Sequence, residues 1–191
     1  MQLLRRYPST DERYVTERAW ESATLPACPF HPAGGCGLQK LGSYPRVEPA
    51  GVRVPRWWCP TQGESISLLP SFLAARLSGT LAAVEQVVAA VEVAGSVEAA
   101  VEAVNPLRVE APVGHVCAVR WMRRRVRAVR AALVAIATLL PTWFVGVPPT
   151  LAGFRAALAR DGDVLVALRE IAERHLGALP VPLGFAARGS G

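Results

Sequence analysis

The sequence is short of lysine, of aspartate and of uninterrupted apolar runs. Lys40 is the only lysine among 21 cationic residues, and Asp11, Asp161 and Asp163 are the only aspartates. Histidine is equally sparse, with His31, His115 and His175. No Gly-rich phosphate loop, nucleophile elbow or HExxH is present. Cutting a phosphodiester would need several acids gathered around Mg²⁺, and no such set assembles. The expectation is a protein that is not an enzyme and has no small-molecule substrate.

Aromatics make up 7% of the chain, so the core must be largely aliphatic. The four cysteines are too few and too unevenly spaced for a secreted disulfide scaffold. The opening MQLLRRYPSTDERYV has no apolar run to serve as a leader, so a reducing cytoplasm is expected. An uncharged stretch of 24 residues, Ala131 to Phe154, could span a bilayer, and the arginines before it would satisfy the positive-inside rule. Pro141, Pro148 and Pro149 interrupt it, which suits a buried core helix better.

What is present is arginine, and it is segregated. Arg108, Arg120, Arg123, Arg124, Arg125, Arg127 and Arg130 are accompanied only by Glu110, giving an excess equal to the +6 of the whole chain. Ser78 to Asn105 holds Glu85, Glu92, Glu98 and Glu102 and no cation. Arginine's planar fork suits phosphate oxygens.

Four stretches follow along the chain. Residues 1–25 read as a polar N-terminal tail or a short docking segment. Residues 26–72, rich in Pro, Gly and Cys, suggest short strands around Tyr44, Val47, Val52, Val54 and Trp57-Trp58. Residues 73–140 turn to helical periodicity: a helix from Thr80 to about Val93, a Gly95 turn, a second helix from Val97 to Val104 capped by Ser96, and a long helix up to Pro141. Helix, glycine turn, helix is the helix-turn-helix pattern, and equally that of an ordinary helical hairpin. On a wheel, Arg120, Arg123, Arg124 and Arg127 share one face of the long helix, opposite Val119, Met122, Val126, Val129 and Leu133. Arg125 and Trp121 fall at the flanks. Residues 141–191 predict a helix from Thr150 to Arg160, a DGD turn whose acids cap the next helix, and a helix from Val164 to Leu176. That last helix turns Arg169, Glu170, Glu173 and Arg174 outward, before a frayed end.

Cys28-Pro29-Phe30-His31 offers two ligands at knuckle spacing, with Cys36 and Cys59 to complete a set of four suited to structural zinc. A complete ribbon would place another ligand where Gln62 stands, so the site must recruit Cys36 or be lost. Should it be lost, the cysteines become small buried apolar groups.

CPFHPAGGCGLQKLGSYPRVEP and RWWCPTQGESISLLPSFLAARLSGTL resemble the zinc-ribbon-like N-terminal region of bacterial insertion-element transposases and related short proteins. VAGSVEAAVEAVNP and VRWMRRRVRAVRAAL resemble the helix-turn-helix that follows it. The likeness covers roughly residues 26–135 and does not extend to an RNase-H-like catalytic domain. It implies binding to element-end DNA, with Cys28, His31 and Cys59 in ligand positions and the arginines from Arg120 to Arg127 on the backbone.

The fold expected is therefore mainly α, a small zinc-ribbon-like β hairpin module followed by a helix-turn-helix-type helical bundle. The function expected is DNA binding through Arg120, Arg123, Arg124, Arg127 and Arg130, with double-stranded DNA as partner and a homo-oligomer or a transposition protein as further partners. A helical protein-interaction domain with a merely solvated arginine face is the alternative, and membrane association a more remote one.

Overall fold

A computed structural model describes residues 1–7, 10–104 and 115–186. Pro106, Arg108 and Glu110 lie outside the described residues, as do 187–191 of the expected frayed end. The chain divides into two compact units, residues 1–73 with 78–80 and residues 74–77 with 81–191. Helices outnumber strands, and the strands form one small sheet.

The first unit is built on four strands: β1 (Gln2–Arg5), β2 (Gln39–Pro45), β3 (Arg53–Cys59) and β4 (Glu64–Pro70), in the order β1-β4-β3-β2. β2, β3 and β4 form an antiparallel meander, while β1 adds parallel to β4 with Leu3 opposite Leu68. Residues 1–25 are thus no tail. QLLR is short and flanked by charge, so its pairing is visible only once a partner strand exists. After it, α1 (Asp11–Thr16) starts on Thr10, whose hydroxyl accepts from the Arg13 N–H at 3.3 Å. α1 buries Tyr14, whose hydroxyl donates to the Arg53 carbonyl at 3.0 Å.

The second unit is helical: α2 (Leu81–Ala94), α3 (Val97–Val104), α4 (His115–Leu139), α5 (Pro141–Phe144), α6 (Leu151–Leu158) and α7 (Val164–Ile171). Gly95, at φ +76, makes the turn between α2 and α3, a backbone state open to glycine without steric cost. Ser96 then accepts from the Ala99 N–H at 3.0 Å. α2, α3 and α4 pack on one another, and α6 and α7 pack on α2.

Three expectations fail in this unit. Asp163 stands at the N-cap of α7 but makes no side-chain cap bond. Glu85 of α2 caps it instead, accepting from the Leu165 N–H at 3.0 Å, and Glu92 one heptad on accepts from the N–H groups of Leu151 and Ala152 at the start of α6. Arg169 is fully buried rather than outward. Its Nε donates to the Leu183 carbonyl at 2.8 Å and its Nη2 to the Pro182 carbonyl at 2.5 Å. The segment expected to fray is packed as far as Ala186, with Leu179 and Leu183 buried and the Phe185 N–H on the Leu176 carbonyl at 2.7 Å. Arg169→Met orphans the buried Leu183 carbonyl, at about 1–3 kcal/mol, while the Pro182 carbonyl keeps the Ala75 N–H at 2.9 Å. Urea unfolding should show a loss of about 2 kcal/mol; an unchanged midpoint would mean the guanidinium does not hold this segment.

Candidate metal centre and arginine ridge

Two turns bring the four ligand candidates together. At Cys28–His31 the His31 N–H closes on the Cys28 carbonyl at 3.1 Å, and the Gly34 N–H closes on His31 at 2.9 Å. At the β3–β4 hairpin the Gly63 N–H closes on the Cys59 carbonyl at 2.9 Å. Cys36 lies between the turns, its carbonyl accepting from the Thr61 hydroxyl at 3.3 Å. The ligand atoms of Cys28, His31, Cys36 and Cys59 all lie within 4.8 Å of one another. Gln62 is exposed in the hairpin turn, and Cys36 fills the place it leaves.

The spacing suits a metal ion. His31 Nδ1 is 3.4 Å from Cys59 Sγ and 3.8 Å from Cys28 Sγ. Tetrahedral coordination at ordinary metal–sulfur and metal–nitrogen lengths puts such atoms roughly 3.6 Å apart. All three cysteines are free thiols and buried, among Ala23, Trp57, Ile66 and Leu68.

Their electrostatics are opposed. Burial pushes the Cys28 thiol up, but hydrogen bonds from the His31 ring, the backbone N–H groups of Phe30 and His31, and Cys59 bring it down to about 6. Burial raises the Cys36 thiol, and the neighbouring sulfurs of Cys28 and Cys59 raise it further. Several thiolates this close in an apolar shell repel one another unless a cation sits among them. The four residues can hold a metal ion.

No known protein family, curated protein or solved structure matches this chain.

The arginines sit as the wheel places them. Arg120, Arg123, Arg124, Arg127 and Arg130 are all exposed on α4, while Val119, Met122, Val126, Val129 and Leu133 are buried on its other side. Arg123 is ion-paired with Glu98 of α3. The backbone N–H at Glu98 itself, and then Arg123, hold that carboxyl below the usual carboxylate range. Among the described residues, no carboxylate pairs with Arg120, Arg124, Arg127 or Arg130. Arg125, expected at a flank, is buried, its guanidinium 3.5 Å from the centre of the Trp121 ring. A long stem packed on an indole buries a charge that periodicity alone leaves at the edge of the exposed face.

The caps on α6 and α7 were not legible beforehand, yet they bear on the ridge. Glu85 and Glu92 spend their carboxylates on helix N-termini, leaving Glu98 as the acid of this stretch seen on an α4 arginine. The available signal was two acids seven apart on one face of a helix that is apolar apart from Gln86. No helix among the described residues is long and apolar enough to cross a membrane.

Proposed function

We propose that this protein binds double-stranded DNA through α4, and that the first unit is held together by a zinc ion on Cys28, His31, Cys36 and Cys59. The observation that carries the DNA reading is the ridge: five exposed arginines within about a third of the helix circumference, backed by a buried apolar face. Cations so arranged displace counterions from several phosphates together, which supplies affinity without reading sequence. In this reading α2, α3 and α4 act as a helix-turn-helix-type unit, with α4 along the groove. Three thiolates and an imidazole favour zinc among divalent ions, and leave no open position on the metal for substrate, so its part is structural. The resemblance of residues 26–135 to insertion-element proteins makes an element end the first duplex to try, in a transposition-associated rather than catalytic role.

Anisotropy of a labelled duplex tests the reading. With about four arginines on phosphates, raising salt from about 50 to about 200 mM should weaken binding roughly a hundredfold. Affinity indifferent to salt, or absent at both concentrations, counts against it and in favour of a solvated ridge.

A further inference from the structure

A second cationic feature lies entirely within the first unit, on residues unconnected with α4. Arg18, Trp20, Glu21, Lys40, Ser43 and Arg53 line a cleft of about 570 Å³, a size typical of small-ligand sites. Two of its cations, Lys40 and Arg53, are fixed by neutral partners. Lys40 Nζ donates to the carbonyls of Glu21 at 2.7 Å and Ala23 at 3.1 Å. Arg53 donates from Nε to the Ser43 hydroxyl at 2.9 Å and from Nη2 to the Ser43 carbonyl at 2.8 Å. These bonds orient both charges without cancelling them. Glu21 is the one acid in the lining, and it meets Arg18 only loosely, at 3.8 Å with both side chains well exposed.

Two backbone irregularities lie beside these groups. The pairing of β2 with β3 slips between Lys40 and Gly42, a bulge of the kind that redirects side chains. Arg18 has φ 46, at the position just past α1 where glycine is favoured; its N–H closes on Val15 and the Ala19 N–H on Tyr14. A bulky side chain held there costs conformational energy, and such outliers gather where a side chain has work to do. The turn also brings Trp20 to the cleft, half-buried, with its ring 5.8 Å from that of Tyr14.

We propose that this cleft binds a nucleotide unit, its phosphate held among Arg18, Lys40 and Arg53 and its base against Trp20. Fixed cations beside an indole match a phosphate carrying an aromatic base, and stacking tolerates any base. A free nucleotide and a nucleotide within a single strand share this chemistry.

Calorimetry on the full protein with thymidine monophosphate, oligothymidylate of about eight nucleotides, inorganic phosphate and phosphotyrosine tests the assignment. Comparable binding of the monophosphate and the oligomer identifies a free-nucleotide site; binding of the oligomer alone identifies a strand site. Trp20→Ala should weaken either by about tenfold or more, with Trp20→Phe retaining most of the affinity. Arg18→Gly should weaken it similarly while the melting temperature holds or rises, since glycine relieves the left-handed turn. Arg124→Ala/Arg127→Ala should leave it unchanged, so this site and the α4 ridge succeed or fail separately. The proposal is overturned if no nucleotide binds, if Trp20→Ala binds as the wild type does, or if phosphotyrosine binds as tightly as the nucleotides.

Discussion

Removing the proposed zinc ion is expected to unfold the first unit while the helical unit keeps its far-ultraviolet signal. Tyr14, Val52, Val54 and Leu69 are buried elsewhere in this unit, but the end of the sheet at Cys59 rests on the ligand cluster. Three of the seven residues in its buried cluster around Trp57 are the ligands Cys28, Cys36 and Cys59. Small modules of this kind draw on structural metal for about 10–16 kcal/mol, comparable with or greater than the roughly 5–15 kcal/mol by which whole domains are stable. Without the ion, burial and the neighbouring sulfurs keep the Cys36 thiol protonated, and the bonds that would join the two turns through the metal are lost. Chelation, or Cys59→Ser, should therefore abolish the near-ultraviolet signal of Trp57 and Trp58 and open residues 39–70 to proteolysis. Metal analysis should give one ion per chain before treatment and none after. Retention of that signal in fully chelated protein would show that the apolar shell suffices, the cysteines serving only as small buried groups.

The second large effect concerns the ridge. Arg124→Ala/Arg127→Ala should weaken duplex binding by about a hundredfold at low salt, since a hydrogen bond to a charged partner contributes about 1.5–3 kcal/mol. Both side chains are exposed, so the fold should be untouched. Arg123→Ala should cost less, because Glu98 already offsets that charge. Glu98→Gln should do the opposite and tighten binding by roughly threefold, the modest change expected of a surface ion pair. Equal losses from Arg123 and Arg124 would show that the Glu98 pair does not persist in the complex.

Much of the helical unit could be read beforehand where local chemistry decides. Ser96, Gly95 and the apolar spacing of α4 mark their elements without help from distant residues. Most of the exceptions share one cause, a partner outside the element that carries the residue. β1 pairs with a strand more than sixty residues away, and Glu85 caps a helix eighty residues on. Arg169 is hidden by two carbonyls that no helical wheel contains, whereas Arg125 lies over Trp121, one turn before it on α4. At the metal centre the Cys28–His31 spacing and Cys59 were visible at once. The place of Cys36 followed only from Gln62 being unable to serve, and the two turns put its sulfur with the other ligands.

The salt dependence of duplex affinity, measured for the wild type and for Arg124→Ala/Arg127→Ala side by side, bears on the ridge most directly. Each phosphate contact contributes about 0.9 to the slope of log affinity against log salt, so losing two should flatten it by about 1.8. Parallel lines for the two proteins would mean that these guanidinium groups do not meet phosphate, and that α4 is not the DNA-binding surface.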